Sequence, residues 1–325
     1  MYLADNHGRK INYLRLSVTD RCNMRCIYCM PETGIDKCLH ADVLSYEEFL
    51  LIARAAVALG IEKIRVTGGE PLVRRGILDF LAELTEIPGL KQLVLTTNGV
   101  LLPEMAQGLK DAGVQRLNIS LDSLQSQTFA QLTRTNLLPQ VLAGIAAAEQ
   151  VGLPYKINVV VMRGRNDNEI LEFARLTRDH DCTVRFIEYM PTLKEEDWRS
   201  QVVSSTEVLE RLHQHYSLHP VERGPLSGPA EEFAIDGARG RIGVIAPLSG
   251  HFCHDCNRIR ITASGQVRTC LFSDHETDLR PLLSLNDVDV VTRELQRLIS
   301  EKPASHTLNS QEAGHSAFSM AQIGG

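Results

Sequence analysis

The chain has 325 residues, of which 43% are hydrophobic and 23% charged, a composition typical of globular proteins that argues against disorder. Its formal net charge of −6 excludes a broadly basic nucleic-acid surface but leaves room for a local site for a small anion. The first ten residues lack a signal-peptide core, and no run approaches the roughly 18 apolar residues that span a membrane. We therefore expect a cytoplasmic protein with neither nucleic acid nor membrane as partner.

Short β-branched runs alternate with helical patterns through the first two thirds of the chain, which predicts βα units and a parallel sheet. Between the first two strands, Ser45-Tyr46-Glu47-Glu48 forms a capping box for a helix that ends before Gly60. Six strands are expected, over Tyr13–Ser17, Lys63–Val66, Gln92–Leu95, Arg116–Ile119, Lys156–Val161 and Thr183–Ile187.

Six units are too few to close an eight-stranded barrel. The predicted fold is therefore α/β, an incomplete (β/α)6 TIM-like barrel over residues 1–220, with the region 221–325 covering the barrel opening. The Pro- and Gly-containing stretch 220–240 is expected to be an irregular connection between the two.

Chemically distinctive residues follow the predicted strands. In a parallel barrel these positions converge at the C-terminal face, where the connecting loops build the active site. One pocket is therefore expected to contain a cysteine triplet, Gly68-Gly69-Glu70-Pro71, Thr96-Thr97-Asn98, Ser120-Leu121-Asp122 and Glu188-Tyr189-Met190-Pro191.

The first cysteine triplet is Cys22, Cys26 and Cys29. Eight cysteines in an intracellular chain of this length favour metal binding or catalysis over a disulfide framework. Three thiolates on one short loop suit an iron–sulfur cluster, and a missing fourth ligand leaves one iron open to substrate, as in open catalytic metal sites. From the cysteines alone, a structural zinc loop with a distant fourth ligand remains an alternative.

The cysteine spacing, Tyr28 before the last cysteine and the Gly68-Gly69-Glu70-Pro71 turn together resemble the radical S-adenosylmethionine (SAM) superfamily. The resemblance implies a [4Fe–4S] cluster whose open iron binds the methionine moiety of SAM and whose electron releases a 5′-deoxyadenosyl radical. It also implies a SAM pocket formed by Tyr28, Gly69, Ser120 and Met190. A glycine backbone can approach a ligand closely, although an ordinary strand-to-helix turn would also explain the glycine pair.

A second triplet comprises Cys253, Cys256 and Cys270. Taken alone, this spacing is more typical of zinc than of an iron–sulfur cluster. Against zinc, Arg258 and Arg260 alternate along a predicted strand and so share one face, which would present positive charge to an anion beside the metal. Candidate fourth ligands of a zinc ion are His251, His254 and His275.

The second triplet and the residues around it resemble the GTP 3′,8-cyclase family of molybdenum cofactor biosynthesis. The likeness rests on residues 252–260, 262–265 and 270–271, and it extends from residues 14–22 through 184–191 to the final Gly324-Gly325. It implies that a second [4Fe–4S] cluster binds the guanine of GTP, and that GTP becomes (8S)-3′,8-cyclo-7,8-dihydroguanosine 5′-triphosphate after hydrogen abstraction at C3′. Implied partners are an external electron donor and a downstream cyclic pyranopterin monophosphate synthase. The oligomeric state stays open, a homodimer being one possibility.

The same resemblance implies a set of basic and polar GTP contacts, and no general base. Arginine suits a triphosphate because its planar fork donates two hydrogen bonds and keeps its charge, although each arginine alone could be an ordinary surface charge. The implied contacts are Arg15, Arg65, Thr96, Lys156, Arg258, Ile259 and Arg260, with Lys63 and Arg185 as further candidates.

The resemblance also implies that the Gly324-Gly325 tail reaches the active site. Two departures from the family pattern bear on local geometry. Residues 320–323 lack a basic residue before the tail, and Arg134 lies in a turn where a glycine is expected. Cys38 and Cys182 match neither triplet and are expected to be plain thiols.

Two further interpretations remain open at the level of sequence. An electron carrier with two clusters would use the same cysteine chemistry, but its clusters would normally have four cysteines each. A radical enzyme that modifies a peptide would keep the first triplet, whereas Arg258 and Arg260 favour a phosphate ligand.

Overall fold

The computed structural model describes residues 3–35, 38–193, 197–250, 252–306 and 320–324. The strands are β1 (Tyr13–Ser17), β2 (Lys63–Thr67), β3 (Gln92–Thr97), β4 (Arg116–Ser120), β5 (Tyr155–Val161), β6 (Thr183–Glu188), β7 (Leu218–Val221), β8 (Glu231–Ile235), β9 (Arg241–Ile245), β10 (Arg258–Ile261), β11 (Gln266–Arg268) and β12 (Thr277–Asp278). The helices are α1 (Tyr46–Ala58), α2 (Ile77–Thr85), α3 (Leu102–Asp111), α4 (Ser126–Thr133), α5 (Leu138–Gln150), α6 (Ile170–Asp179), α7 (Ser205–His213), α8 (Arg280–Leu283), α9 (Val288–Ser300) and α10 (Met320–Ile323).

All twelve strands form one sheet in the order β12-β11-β10-β1-β2-β3-β4-β5-β6-β9-β8-β7. Strands β1 to β6 pair in parallel and in chain order, with β10 parallel to β1 and β9 parallel to β6 at the two sides. Within the described ranges the two outer strands, β12 and β7, do not pair with each other. This open parallel sheet confirms the predicted incomplete barrel.

The six predicted strands are all present, each within two residues of its expected bounds. The capping box of α1 is also formed, since the Ser45 hydroxyl accepts from the Glu48 backbone at 3.2 Å and the Glu48 carboxylate accepts from the Ser45 backbone at 2.7 Å. Helix α9 from the C-terminal region packs against α1 and places Val291, Leu295 and Leu298 in the main core.

The expectation of an irregular connection over residues 220–240 holds for 222–230 and 236–240 but is wrong for the rest of the range. Strands β7 and β8 form an antiparallel hairpin there, and β8 continues the sheet onto β9. Pro220 lies in β7, an edge strand, where its missing N–H removes no ladder hydrogen bond. The division at residue 220 stays a prediction, because β6 and β9 are hydrogen-bonded across it.

None of the helices described here has both the length and the apolar character needed to cross a membrane.

Candidate active site

Two rows of basic residues cross the inner face of the barrel. Register places Arg15 of β1 between Arg65 of β2 and Arg260 of β10, and one residue pair earlier Tyr13 lies between Lys63 and Arg258. Parallel strands in register bring such residues together although they are far apart in the chain. Arg15, Arg65 and Arg260, which the family resemblance implies as GTP contacts, thus lie side by side on adjacent strands.

A cavity of about 270 Å³ runs along these rows, from the C-terminal ends of β1 to β4 to the loop that precedes β10. Both cysteine triplets open onto it. Sixteen predicted site residues line the cavity: Cys22, Cys26, Cys29, Tyr28, Gly69, Ser120, Met190, Arg15, Arg65, Thr96, Arg185, Arg258, Arg260, Cys253, Cys256 and Cys270.

The loop with the first triplet is attached to the end of α4. The Arg25 and Ile27 amides donate to the carbonyls of Thr133 and Leu132 at 3.1 and 2.9 Å. On the other side of the loop, the Tyr28 hydroxyl donates to Asp122 at 2.7 Å. These contacts hold the three thiols on the cavity side.

The surroundings of the first triplet fit an iron–sulfur cluster. The Met24 amide and the Asn98 side chain donate to Cys22 Sγ at 3.4 and 3.9 Å, and hydrogen bonds to sulfur are among the factors that set cluster potentials. Burial raises the pKa of Cys22 to about 11 and raises that of Cys26 well above its ordinary value. Because the thiolate is the metal ligand, cluster binding must displace these protons.

The glycine pair after β2 is required by the packing of two loops. A Cβ on Gly68 would lie 2.6 Å from the Thr19 carbonyl oxygen, and one on Gly69 would lie 2.4 Å from that of Arg21. The Gly69 amide donates to the Thr19 carbonyl at 2.7 Å. This contact places the glycine turn directly beside Cys22, so Gly69 lines the cavity next to the first triplet.

The second triplet lies in a more electropositive environment. Burial opposes ionisation of Cys256, but Arg258 and Lys302 outweigh it and lower the pKa of this thiol to about 6. Arg9 fixes the loop from behind, donating to the carbonyl of Cys253 at 2.8 Å and to those of Pro303 and Ala304 at 2.7 and 2.9 Å. A thiolate ligand is therefore available near neutral pH.

Two of the histidines considered as zinc ligands lie away from the cavity. His254 and His275 are exposed and do not line it, and His251 lies outside the described residues. Metal analysis distinguishes zinc from an iron–sulfur cluster at the second triplet.

Buried basic side chains in and beside the cavity lower one another's pKa values. Burial, followed by Arg65 and Arg116, lowers the pKa of Lys63 to about 6, and burial followed by Arg258 lowers that of Arg260 to about 9. Such a group of cations is stabilised by an anionic ligand.

Three of the residues expected at the GTP site do not line the cavity. Lys156 and Arg185 both pair with Glu232, at 2.6 and 2.7 Å, and of these two only Arg185 reaches the cavity wall. Ile259 packs into the hydrophobic core on the outer face of β10, so only its backbone faces the strand edge. Lys63 lies in the row of Tyr13, and its Nζ donates a hydrogen bond to the Leu226 carbonyl at 2.8 Å.

The C-terminal tail docks in the barrel. The Gly324 carbonyl accepts from Arg260 Nη1 at 2.8 Å, and a Cβ at Gly324 would lie 2.7 Å from the Thr67 side chain. Ile323 is buried against Leu248 and Phe272. Apolar packing thus holds the tail without the basic residue that resemblance led us to expect, while Gly325 lies outside the described residues.

The sequence analysis placed Asp122 in the pocket without a specific role and did not single out Tyr13 or Lys302, and all three line the cavity. Burial raises the pKa of Asp122 to about 6, and Lys302 is buried beside the second triplet. The positions of Asp122 after β4 and Tyr13 before Arg15 were available signals, because strand ends and alternate strand residues face the interior. Lys302 follows helix α9, and neither a strand end nor strand alternation marks it as facing the interior. Cys38 and Cys182 lie away from the cavity wall.

An open parallel barrel with a three-cysteine loop after its first strand defines the chain as a radical SAM protein, a class that uses SAM and an iron–sulfur cluster. The sequence profile of the radical SAM superfamily matches residues 16–177, and that of Molybdenum Cofactor Synthesis C matches residues 182–308. Streptococcus suis SuiB bound to S-adenosylmethionine has a similar fold, with a TM-score of 0.62 over 89% of this chain and 69% of that one at 13% identity.

The particular family follows from closer relatives. A GTP 3′,8-cyclase of Geobacter sulfurreducens is 59% identical over 100% of both chains. That of Peptoclostridium acidaminophilum is 46% identical over 99% of this chain and 98% of its own. The chain belongs to the GTP 3′,8-cyclase family.

Proposed function

We propose that this protein converts GTP to (8S)-3′,8-cyclo-7,8-dihydroguanosine 5′-triphosphate, the first step of molybdenum cofactor biosynthesis. One observation carries the proposal: two cysteine triplets and two rows of cations open onto the same cavity. The cations provide for a triphosphate, and the two triplets provide separate metal sites for SAM and for the guanine.

Cys22, Cys26 and Cys29 would hold a [4Fe–4S] cluster, and Cys253, Cys256 and Cys270 a second one. When bound, the first cluster and SAM supply a 5′-deoxyadenosyl radical. The protein's own residues bind and orient the two substrates and exclude water from the radical. Tyr28, Gly69, Ser120 and Met190 form the wall on the SAM side.

On the GTP side, Arg15, Arg65, Arg258 and Arg260 would hold the phosphates, with Thr96 beside them. Arg260 also holds the Gly324 carbonyl at 2.8 Å, so the tail and the nucleotide share one guanidinium. Gly324 and Gly325 would close the site around the nucleotide where a side chain would not fit. Lys156 and Ile259 lie outside the cavity wall. Lys156 would contribute its positive charge to the GTP site, and Ile259 would contribute its backbone.

The remaining partners follow from the reaction. An external one-electron donor has to reduce the first cluster, and a cyclic pyranopterin monophosphate synthase would consume the product. We place the enzyme in the cytoplasm, where both GTP and SAM are available. Light scattering on the purified protein distinguishes a homodimer from a monomer.

Anaerobic reconstitution tests the proposed reaction. The protein is incubated with SAM, dithionite and single nucleotides, and 5′-deoxyadenosine and a cyclised nucleotide are quantified by mass spectrometry. We expect both products with GTP. If GTP yields neither above a control without nucleotide, the cyclase assignment is wrong.

Metal analysis of C253A and C270A tests the second cluster. Each variant should lose roughly half of the iron, one of two clusters, while the first triplet still cleaves SAM. Unchanged iron accompanied by loss of zinc would instead establish a structural zinc site. The matched variant Cys182→Ala, a thiol away from the cavity, should keep its full iron content.

A further inference from the structure

Tyr13 is a buried polar side chain for which the proposed chemistry has no role. It lies in β1 two residues before Arg15, is 1% exposed, and forms part of the cavity wall. Within the described ranges its buried hydroxyl has no hydrogen-bond partner. A buried hydroxyl left without a partner destabilises a protein, so the group is better suited to the ligand-bound state.

Basic side chains flank Tyr13. The Lys63 Nζ lies 4.6 Å from the centre of its ring and the Arg65 guanidinium carbon 5.5 Å, distances at which a charged side chain is attracted to the ring. Arg258 is its register partner on the other side. Basic residues therefore lie on both strands next to Tyr13, so an anionic ligand bound by them would be close to this side chain.

We infer that the Tyr13 hydroxyl donates a hydrogen bond to a phosphate oxygen of the nucleotide. The inference rests on the proposed function, which supplies the nucleotide. A phenol is a donor that requires no additional charge among cations that already repel one another, and a hydrogen bond to a charged oxygen is stronger than one between neutral groups.

The charges in its row favour the phosphates over the base as the partner of Tyr13. Tyr13 begins β1, remote from the loop with the first triplet, which begins beyond the end of this strand at Ser17. Its row contains Lys63 and Arg258. A row with two basic side chains suits the most strongly charged part of GTP.

Tyr13→Phe tests the inference, since it removes the oxygen and keeps the ring against Lys63 and Arg65. Equilibrium binding to the anaerobically reconstituted protein is measured for GTP and for inorganic tripolyphosphate. Loss of a hydrogen bond to a charged group predicts that Y13F binds both ligands about tenfold more weakly. The KM for GTP should rise while kcat changes little.

The ligand pair separates the possible outcomes. Unchanged GTP affinity in Y13F overturns the inference, as does tripolyphosphate that fails to bind the wild type. Weaker GTP binding with unchanged tripolyphosphate binding overturns the phosphate assignment and places the hydroxyl on the nucleoside. A wild type that neither binds nor cyclises GTP contradicts the proposed function itself, which is a separate result.

Tyr155→Phe is the matched control. Tyr155 is buried in β5 and its hydroxyl donates to Glu149 at 2.6 Å, away from the cavity wall. This variant removes one buried hydroxyl from a barrel strand without touching the cation rows. We expect Y155F to bind both ligands like the wild type, and both variants to retain full iron content.

Discussion

The basic residues under the cavity are arranged for a ligand more than for the stability of the free protein. Lys63 is 2% exposed and lies among Arg65, Arg116, Arg185 and Lys156. Its pKa of about 6, against an ordinary value of 10.5, means that the folded, ligand-free protein binds fewer protons than the unfolded chain between these pH values. Its stability should accordingly rise with pH over that window, because ∂ΔG/∂pH follows the excess of protons on the unfolded state.

Proton uptake on GTP binding is the consequence at Lys63. An approaching triphosphate favours the ammonium, so its pKa rises and the side chain takes up to about one proton near pH 8. Calorimetry in buffers of different ionisation enthalpy measures this uptake. The Lys63→Met variant should bind GTP with less uptake, and equal uptake in the two proteins would contradict the assignment.

The prediction of secondary structure succeeded where local sequence and tertiary burial agree. β1 to β6 are short β-branched runs that the barrel buries, so their pattern identified them. β7 and β8 were missed because Pro220 and several glycines indicate loops, whereas an edge hairpin tolerates both. The docking of Ile323 and Gly324 could not be predicted from composition, because it depends on an apolar surface formed by Leu248 and Phe272.

Arg134 connects the end of α4 to the loop that carries the first cysteine triplet. It ends α4 with φ +57°, in the left-handed region that favours glycine. Its guanidinium donates to the carbonyls of Arg25 and Met30 at 2.9 and 3.2 Å, on both sides of Cys26 and Cys29. An arginine at the turn where resemblance predicted a glycine therefore restrains the cluster loop.

Arg134→Gly separates backbone strain from loop restraint. Relief of the left-handed conformation, worth roughly 1 kcal/mol, offsets the loss of two exposed hydrogen bonds, so the free energy of unfolding should change little. Iron release to a chelator should become about fivefold faster, because losing about 1 kcal/mol of loop restraint corresponds to a change of that size. Asn286→Gly, at φ +49° and away from both triplets, controls for strain. Equal release rates in both variants would contradict a restraining role for Arg134.

At the scale of the molecule, distant parts of the chain meet at the second triplet. Arg9 pairs with Asp5 at 2.6 Å and donates to Cys253, Pro303 and Ala304. The cysteines and arginines of the site could be predicted because their chemistry is visible in the sequence. Arg9 could not, since its role depends on contacts that span more than 200 residues, and Lys302 could not, since its place beside the second triplet depends on how the segment after α9 packs.

Arg9→Ala should destabilise the protein by about 2–4 kcal/mol, because it leaves the Asp5 carboxylate buried without its partner and several carbonyls unsatisfied. Chemical denaturation under anaerobic conditions measures the change. Arg9→Lys keeps the charge but not the several donors of the guanidinium. Its free energy of unfolding should therefore lie between those of R9A and the wild type. If R9A and the wild type have the same midpoint, Arg9 does not hold the two ends of the chain together.

In the proposed site GTP lies between the two triplets, with its ribose facing the SAM held at Cys22, Cys26 and Cys29. GTP deuterated at C3′ and incubated anaerobically with the reconstituted enzyme, SAM and dithionite reports this arrangement. We expect one deuterium in the 5′-deoxyadenosine that is released, seen by mass spectrometry. Release of 5′-deoxyadenosine with no deuterium, alongside full consumption of GTP, would contradict it.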